Sequence, residues 1–339
     1  SYVAGWWDCD DLTGLIRLLI VNLAKSLRTL DHLGKAVNGP VSLWRGLQPP
    51  SKESDRHNVR AHYDLPVDLF TAMLDESMTY SCGVFEQPGS TLAGAQRAKL
   101  DRICSKLDLR PTDHVIEIGT GWGSLALHAA RAYGCRVTTT TVSRSQYEVA
   151  TRRVADVGLE DRIRVLEADY RDLEGTYDKL VSIEMIEAVD WRRHDTFFAT
   201  CERLLRPTGL MALQAIVIAD RSYDRAKHHH DFIRRMIFPG GCIPSVTALG
   251  DSLTRSTGLR ILDLEDIGRH YAATLRCWQD NIAAHWDALP CEGGDEEFRR
   301  LWRLYLCYCE AAFLERHISD VQMVIAGPQY RSPLSLRLR

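Results

Sequence analysis

Along the chain the spacing of apolar positions changes several times, and those changes divide it. From Leu12 to Leu33 apolar residues recur at Leu12, Leu15, Ile16, Leu19, Leu23, Leu27 and Leu30, a spacing that gathers them on one face of a single amphipathic helix. Residues 38–55 are rich in Pro, Gly and Ser and read as a linker. A boundary near residue 56 follows, with a helical segment and linker over 1–55 and a larger unit over 56–339. After a further helical stretch at 92–107, short apolar runs alternate with helical pattern. They predict strands at 114–118, 136–140, 162–166, 179–183 and 210–218, with two more at 260–264 and 321–326. Strands and helices in alternation give an α/β fold with a doubly wound, mostly parallel, seven-stranded sheet. Helical insertions near 221–257 and 268–319, the second helical throughout, interrupt it before the last strand, and such insertions carry specificity by covering a substrate.

Composition narrows the class. Of 339 residues, 45% are hydrophobic and 26% charged, values of a folded globular protein. A net charge of -3 argues against nucleic acid as a partner, because a polyanion binder carries a basic excess. The longest uncharged apolar stretch, 207–219, is too short to cross a bilayer, which takes about 20 residues. Ten cysteines contain no C-x-x-C pair, so reduced thiols in a cytoplasm fit better than a disulfide framework or a zinc site. The chain opens Ser1-Tyr2-Val3 without Met or a signal pattern, which reads as a processed end or a boundary within a longer sequence. The run His228-His229-His230 suggests no metal, since consecutive helical residues point in different directions.

The strongest local signal is His114-Val-Ile-Glu-Ile-Gly119-Thr-Gly121-Trp122-Gly123, an apolar strand running into a glycine-rich turn and a helix. Such a turn lets a nucleotide-like ligand lie on bare backbone beside a helix N-terminus. A dinucleotide site wants an acid about 20 residues on, at the end of the second strand. That place reads Thr138-Thr139-Thr140-Thr141-Val142-Ser143. Asp169-Tyr170 at the end of the third strand instead suits the adenine of S-adenosylmethionine (SAM), unless Asp169 merely caps a helix. After the fourth strand, Glu184 and Glu187 stand three residues apart at the carboxyl edge of the sheet. Position alone leaves catalysis and helix capping equally open there.

Several ordered motifs carry a resemblance. His62-Tyr63-Asp64-Leu65, Met78-Thr79-Tyr80-Ser81-Cys82, the glycine turn and Ile183-Glu184-Met185-Ile186-Glu187 resemble the cyclopropane-fatty-acyl-phospholipid synthase family, lipid methyltransferases that include mycolic acid cyclopropane synthases. The segments from Asp231 to Gly241, Asp266 to Tyr271 and Tyr308 to Phe313 are similar to that family's later motifs, so the likeness spans about residues 57–327. It implies the Rossmann-like fold of class I SAM-dependent methyltransferases. It also implies methylene transfer to the cis double bond of an unsaturated phospholipid acyl chain, with bicarbonate as the base that closes a cyclopropane ring. A related activity leaves a 10-methylene product instead.

By the same resemblance, Cys82, Glu187, Tyr271 and Cys309 hold the ion, the two cysteines through backbone amides. Gln214 stands where many members have His and cannot titrate. Tyr80 and Ser81 lie near the sulfonium, while Thr141, Ser143 and Gln146 follow the ribose and methionine. The implied partner is a membrane surface, contacted peripherally from the cytoplasm, for which the N-terminal helix is suited, while the basic stretch from Arg221 to Arg235 suits lipid head groups and a merely solvated helix face equally. The N-terminal helix equally suits a packing element within the chain or a contact between two copies in a homodimer.

Overall fold

The computed structural model describes residues 1–22, 66–229, 231–289 and 296–331. Residues 12–22 form helix α1. Helices α2 (Val67–Met73) and α3 (Leu92–Lys106) precede β1 (His114–Ile118), α4 (Ser124–Tyr133), β2 (Arg136–Thr141), α5 (Arg144–Asp156), β3 (Ile163–Glu167) and β4 (Tyr177–Ile183). Then come α6 (His194–Leu204), β5 (Leu205–Ile218), α7 (Asp220–Ala226), α8 (Phe232–Met236) and α9 (Val246–Ser256). The chain ends with β6 (Arg260–Asp266), α10 (Arg269–His285), α11 (Glu296–Leu314) and β7 (Ile318–Ala326).

All seven strands form one sheet in the order β3-β2-β1-β4-β5-β7-β6. Neighbours from β3 to β5 pair in parallel, and β7 runs antiparallel between β5 and β6. The chain steps outward from β1 through β2 to β3, then returns to β4 on the other side. That reversal opens a crevice outside the carboxyl ends of β1 and β4, where open α/β sheets bind ligands.

The threonine run of β2 is almost wholly buried. Branched side chains suit a strand, and every hydroxyl is matched: Thr138 with His114 Nε2 at 2.9 Å, Thr139 with Thr120 at 2.8 Å, Thr140 with the Ala168 carbonyl at 2.6 Å and Thr141 with Gln146 Oε1 at 2.8 Å. One face of the sheet packs against α6 and α9 through Phe197, Phe198, Leu249 and Leu253, and the other against α3 and α4 through Leu100, Ile103, Leu125 and Ala129. A third, aromatic cluster joins α2, α10 and α11 through Phe70, Trp122, Trp278, Trp302 and Tyr305. Helix α1 docks behind α11, where Leu12 and Ile16 meet Cys307 and Ala311 and the buried Thr13 hydroxyl donates to Glu310 at 2.8 Å.

The alternation of strands and helices matches expectation, with corrections at the edges. β4, β5 and β7 begin earlier than their apolar runs, at Tyr177, Leu205 and Ile318, because pairing partners extend strands through polar residues such as Arg206 and Asp320. The region 268–319 is not helical throughout: α10 gives way to a single 3-10 turn at Trp286–Ala288, α11 follows, and β7 takes the last residues. The region 221–257 is three separate helices. The expected helix beyond residue 22, the linker at 38–55, the motif at 62–65 and His230 lie outside the described residues. Among the described residues no helix is long and apolar enough to cross a membrane, and no group of three or more His, Cys, Asp or Glu is placed to hold a metal ion.

Candidate active site

The glycine turn after β1 is left-handed at Gly119, Gly121 and Gly123, with φ of 101°, 52° and 90°, a region that favours glycine. The amides of Gly119 and Thr120 both donate to the Thr140 carbonyl, at 3.1 and 3.0 Å, pinning the turn to β2. Space behind it is already filled: a Cβ at Gly119 would stand 3.2 Å from Met185, and one at Gly123 would stand 3.3 Å from Ala150.

One cavity lies against this backbone, lined by Gly119, Gly121, Trp122, Thr141, Gln146, Asp169, Tyr170, Tyr80 and Ser81. The expected donor-binding residues therefore converge, with two exceptions. Gly123 and Ser143 sit at the N-caps of α4 and α5, where Ser143 Oγ accepts from the Gln146 amide at 3.3 Å. Asp169 does both things the sequence left open. It lines the cavity, while its carboxylate caps the 3-10 turn Tyr170–Asp172 and binds the Arg171 guanidinium at 2.8 and 2.6 Å.

The loop carrying Tyr80 and Ser81 is held by two residues that sequence reasoning missed. Gln96 Nε2 donates to the Ser81 carbonyl at 2.8 Å and Lys99 Nζ to Ser81 Oγ at 2.7 Å. Both are fully buried in α3, and Lys99 lines the cavity. Burial lowers the Lys99 pKa, while the nearby charge of Glu184 opposes that shift. Their signal was present, since both fall on the apolar face with Leu92, Ala95, Leu100 and Ile103. Beyond them the Tyr80 hydroxyl meets that of Tyr305 at 2.7 Å, and the Tyr80 ring packs on Phe70 and Trp278.

Glu184, at the end of β4, also lines the cavity. Its φ of 47° is a conformation that costs a non-glycine residue about 1 kcal/mol or more and concentrates at functional positions. Oε1 accepts from the Cys82 amide at 2.9 Å and from Gln214 Nε2 at 2.7 Å, and Oε2 accepts from the Tyr271 hydroxyl at 2.5 Å. Three donors converging on two oxygens suit a carboxylate, which only accepts. Gln214 Nε2 also reaches Asp320 Oδ2 at 2.9 Å, and Gln322 Nε2 donates to Gln214 Oε1 at 3.1 Å. Asp320 is pushed well above the usual carboxylate range by burial and then by the charges of Glu184 and Glu187.

Glu187 stands beside this network. Its Oε1 accepts from the Ile216 amide at 2.5 Å, and Oε2 is buried without a hydrogen-bond partner. Burial, followed by the charge of Glu184, raises its pKa to about 8. Cys82, Gln214 and Tyr271 are thus brought together, but around Glu184 rather than Glu187. Cys309 lies mid-way along α11, where an amide serves the helix's own hydrogen bonds, so the expected role for that amide does not fit its place. Its side chain packs on the aromatic cluster.

Residues 50–323 match the family model described as mycolic acid cyclopropane synthetase. The chain belongs to that family. It is 39% identical to the tuberculostearic acid methyltransferase UfaA1 of Mycobacterium tuberculosis, over 97% of this chain and 78% of that protein. It is 35% identical to the cyclopropane-fatty-acyl-phospholipid synthase of Escherichia coli, over 96% of this chain and 81% of that one. Among solved structures it resembles the cyclopropane synthase MmaA2 from Mycobacterium tuberculosis, with TM-score 0.74, 29% identity and coverage of 83% and 99% of the two chains. The mycolic acid cyclopropane synthase CmaA1 in complex with SAH and CTAB aligns with TM-score 0.75, 30% identity and coverage of 83% and 99%.

As a member of the cyclopropane synthetase family the chain is a SAM-dependent methyltransferase with the class I fold. The residues fit SAM: bare glycine backbone and a helix N-terminus at one side of the cavity, aromatic rings and an anionic side chain at the other. Bicarbonate fits this synthetase-family site poorly. The Cys82 amide and the Tyr271 hydroxyl, two groups the resemblance assigned to the ion, already donate to Glu184, as does the Gln214 side-chain amide.

Proposed function

We propose that the protein transfers one carbon from SAM to the cis double bond of a fatty acyl chain in a membrane phospholipid, acting from the cytoplasmic face. The observation that carries the reading is the junction of two environments at one point. Glu184 lines the SAM-type cavity, and so do Trp122 and Tyr80, which join it to a cluster of buried aromatic rings. When bound, SAM supplies an electrophilic methyl group on a sulfonium. An isolated double bond is a weak nucleophile, so the chain must hold it close and dry. Trp122, which lines the cavity, and the buried Trp278 and Tyr271 of the same cluster supply aromatic surroundings that favour a cationic carbon and exclude water that would trap it.

The new cation is resolved by loss of a proton. Closure to a cyclopropane ring is the ending suggested by the family description and by the Escherichia coli relative. The 39% identity to a tuberculostearic acid methyltransferase favours a second ending, in which the same proton loss leaves a methylene branch. Delivery of the acyl chain from a bilayer is supported by α8, where Met236 is 57% exposed and follows Arg234 and Arg235.

The test is incubation with SAM and vesicles of monounsaturated phospholipid, followed by proton NMR of the extracted lipid. High-field cyclopropyl signals establish the ring and vinylidene signals the branch. Absence of both, with no S-adenosylhomocysteine (SAH) formed, overturns the reading.

A further inference from the structure

We propose that Glu184 is the base that removes the proton from the methylated acyl chain, so that the enzyme carries its own carboxylate where the resemblance implied a free bicarbonate. The inference rests on the acyl-chain reading above and deepens it. Its first support is position. Glu184 lines the SAM-type cavity, and the Cys82 amide, Gln214 and Tyr271 fix its oxygens from three separate segments. The second is backbone. Gln214 grips the residue twice, since the Glu184 amide donates to the Gln214 carbonyl at 2.8 Å while the Gln214 side chain donates back. A φ of 47° is kept at this residue although glycine would meet it without strain. The third is a neighbour suited to holding a proton. Asp320, linked through Gln214, is buried and favours its neutral form.

The chemistry balances without another reactant. The π pair of the double bond attacks the methyl carbon, a C–C bond forms, and the S–C pair leaves with sulfur to give SAH. A positive carbon remains beside the new methyl group. A C–H bond of that methyl then breaks, its electrons close the ring or, after a hydride shift, form the exocyclic double bond, and the proton goes to a Glu184 oxygen. Glu184 leaves the step as a neutral acid and returns the proton to solvent before the next turnover.

Two variants test this on the full-length enzyme with SAM and monounsaturated phosphatidylglycerol vesicles in carbonate-free buffer. Wild type should form SAH at the same rate with and without 10 mM added bicarbonate, where 10 mM is on the order of a saturating anion for a weak site. Glu184→Gln keeps the shape but cannot accept the proton. Its turnover should fall by about 100-fold or more, the scale of a lost general base, with SAH affinity by calorimetry kept within about threefold. Glu184→Gly relaxes the backbone and frees the three donors, so it should be inactive alone and regain at least about tenfold with bicarbonate or formate.

Bicarbonate dependence in wild type, or Glu184→Gln turnover close to wild type, overturns the assignment while leaving the lipid reading intact. Failure of wild type to form SAH with any such vesicle overturns the lipid reading, and this one with it.

Discussion

The cavity wall built by β1, β2 and β3 is mostly backbone: a left-handed glycine turn, carbonyls and helix N-termini, with side chains such as Ser143 and Asp169 occupied in holding that backbone still. The wall at Glu184 is held by groups gathered from distant places, with the Cys82 amide and the side chains of Gln214, Tyr271 and Asp320 arriving around it from four further segments. Binding a common donor needs only a shape that a short stretch of chain supplies. Handling a cation and its proton needs charged groups whose environments are set by one another. The first wall should tolerate loss of a polar side chain and not loss of a glycine, and the second should behave in the opposite way.

The sharpest way to break that contrast is Gly121→Val. A branched residue at φ of 52° is strained, and its side chain would project into the cavity. SAH affinity should fall by about 100-fold or more, about 3 kcal/mol, with circular dichroism unchanged. An unaltered calorimetric titration would remove the glycine turn from the site. Next is Tyr271→Phe, which deletes one donor to Glu184. We expect kcat to drop by about 10- to 100-fold with SAH affinity kept, the pattern of a group that acts in the reaction rather than in donor binding. A matching loss in both quantities would mean that the two walls are not separable.

A third test compares protonation in the two walls. Burial raises Glu117, in β1, and Glu187, beside Glu184, from 4.5 to about 8. Between those values the folded chain keeps a proton that the unfolded chain has released. Stability should therefore fall as pH rises from 5 to 8 and level off beyond, by at most about 5 kcal/mol for one such group. Glu117→Gln has no proton to lose and should flatten the slope of melting temperature against pH. An unchanged slope would assign the whole pH dependence to the wall around Glu184. The smallest effect is expected of Thr13→Val, behind α11. It removes one buried hydrogen bond to Glu310, which keeps Arg276 and Gln279 at 2.7 and 2.8 Å. A loss of about 1–2 kcal/mol in stability with no change in SAH binding would show that the N-terminal helix supports α11 alone.

The same division decides what could be read in the sequence. The alternation of strands and helices and the glycine turn rest on period and spacing, which are local, and both are found in the fold. Glu184 and Glu187 look alike in the sequence, three residues apart. Only the left-handed backbone at one of them and the donors around it distinguish the pair. Gln214 reads in isolation as a lost histidine. Its role depends on β7 pairing beside β5, which brings Asp320 and Gln322 within reach of one amide. Lys99 and Gln96 were legible as polar residues on an apolar helix face, a pattern easily passed over because a single such residue often lies at a helix edge.

The reversed strand has one more consequence. β7 reads Ile-Ser-Asp-Val-Gln-Met-Val-Ile-Ala, polar near its beginning and oily at its end. Laid parallel to its neighbours it would have offered Ile325 and Ala326 to the reactive rim and buried an acid among greasy residues at the far margin. Turned over, it sets Ala326 against Leu210 in the interior and brings Asp320 opposite Ile216, so strand direction alone gives the rim an acid that a seventh parallel strand could not have supplied.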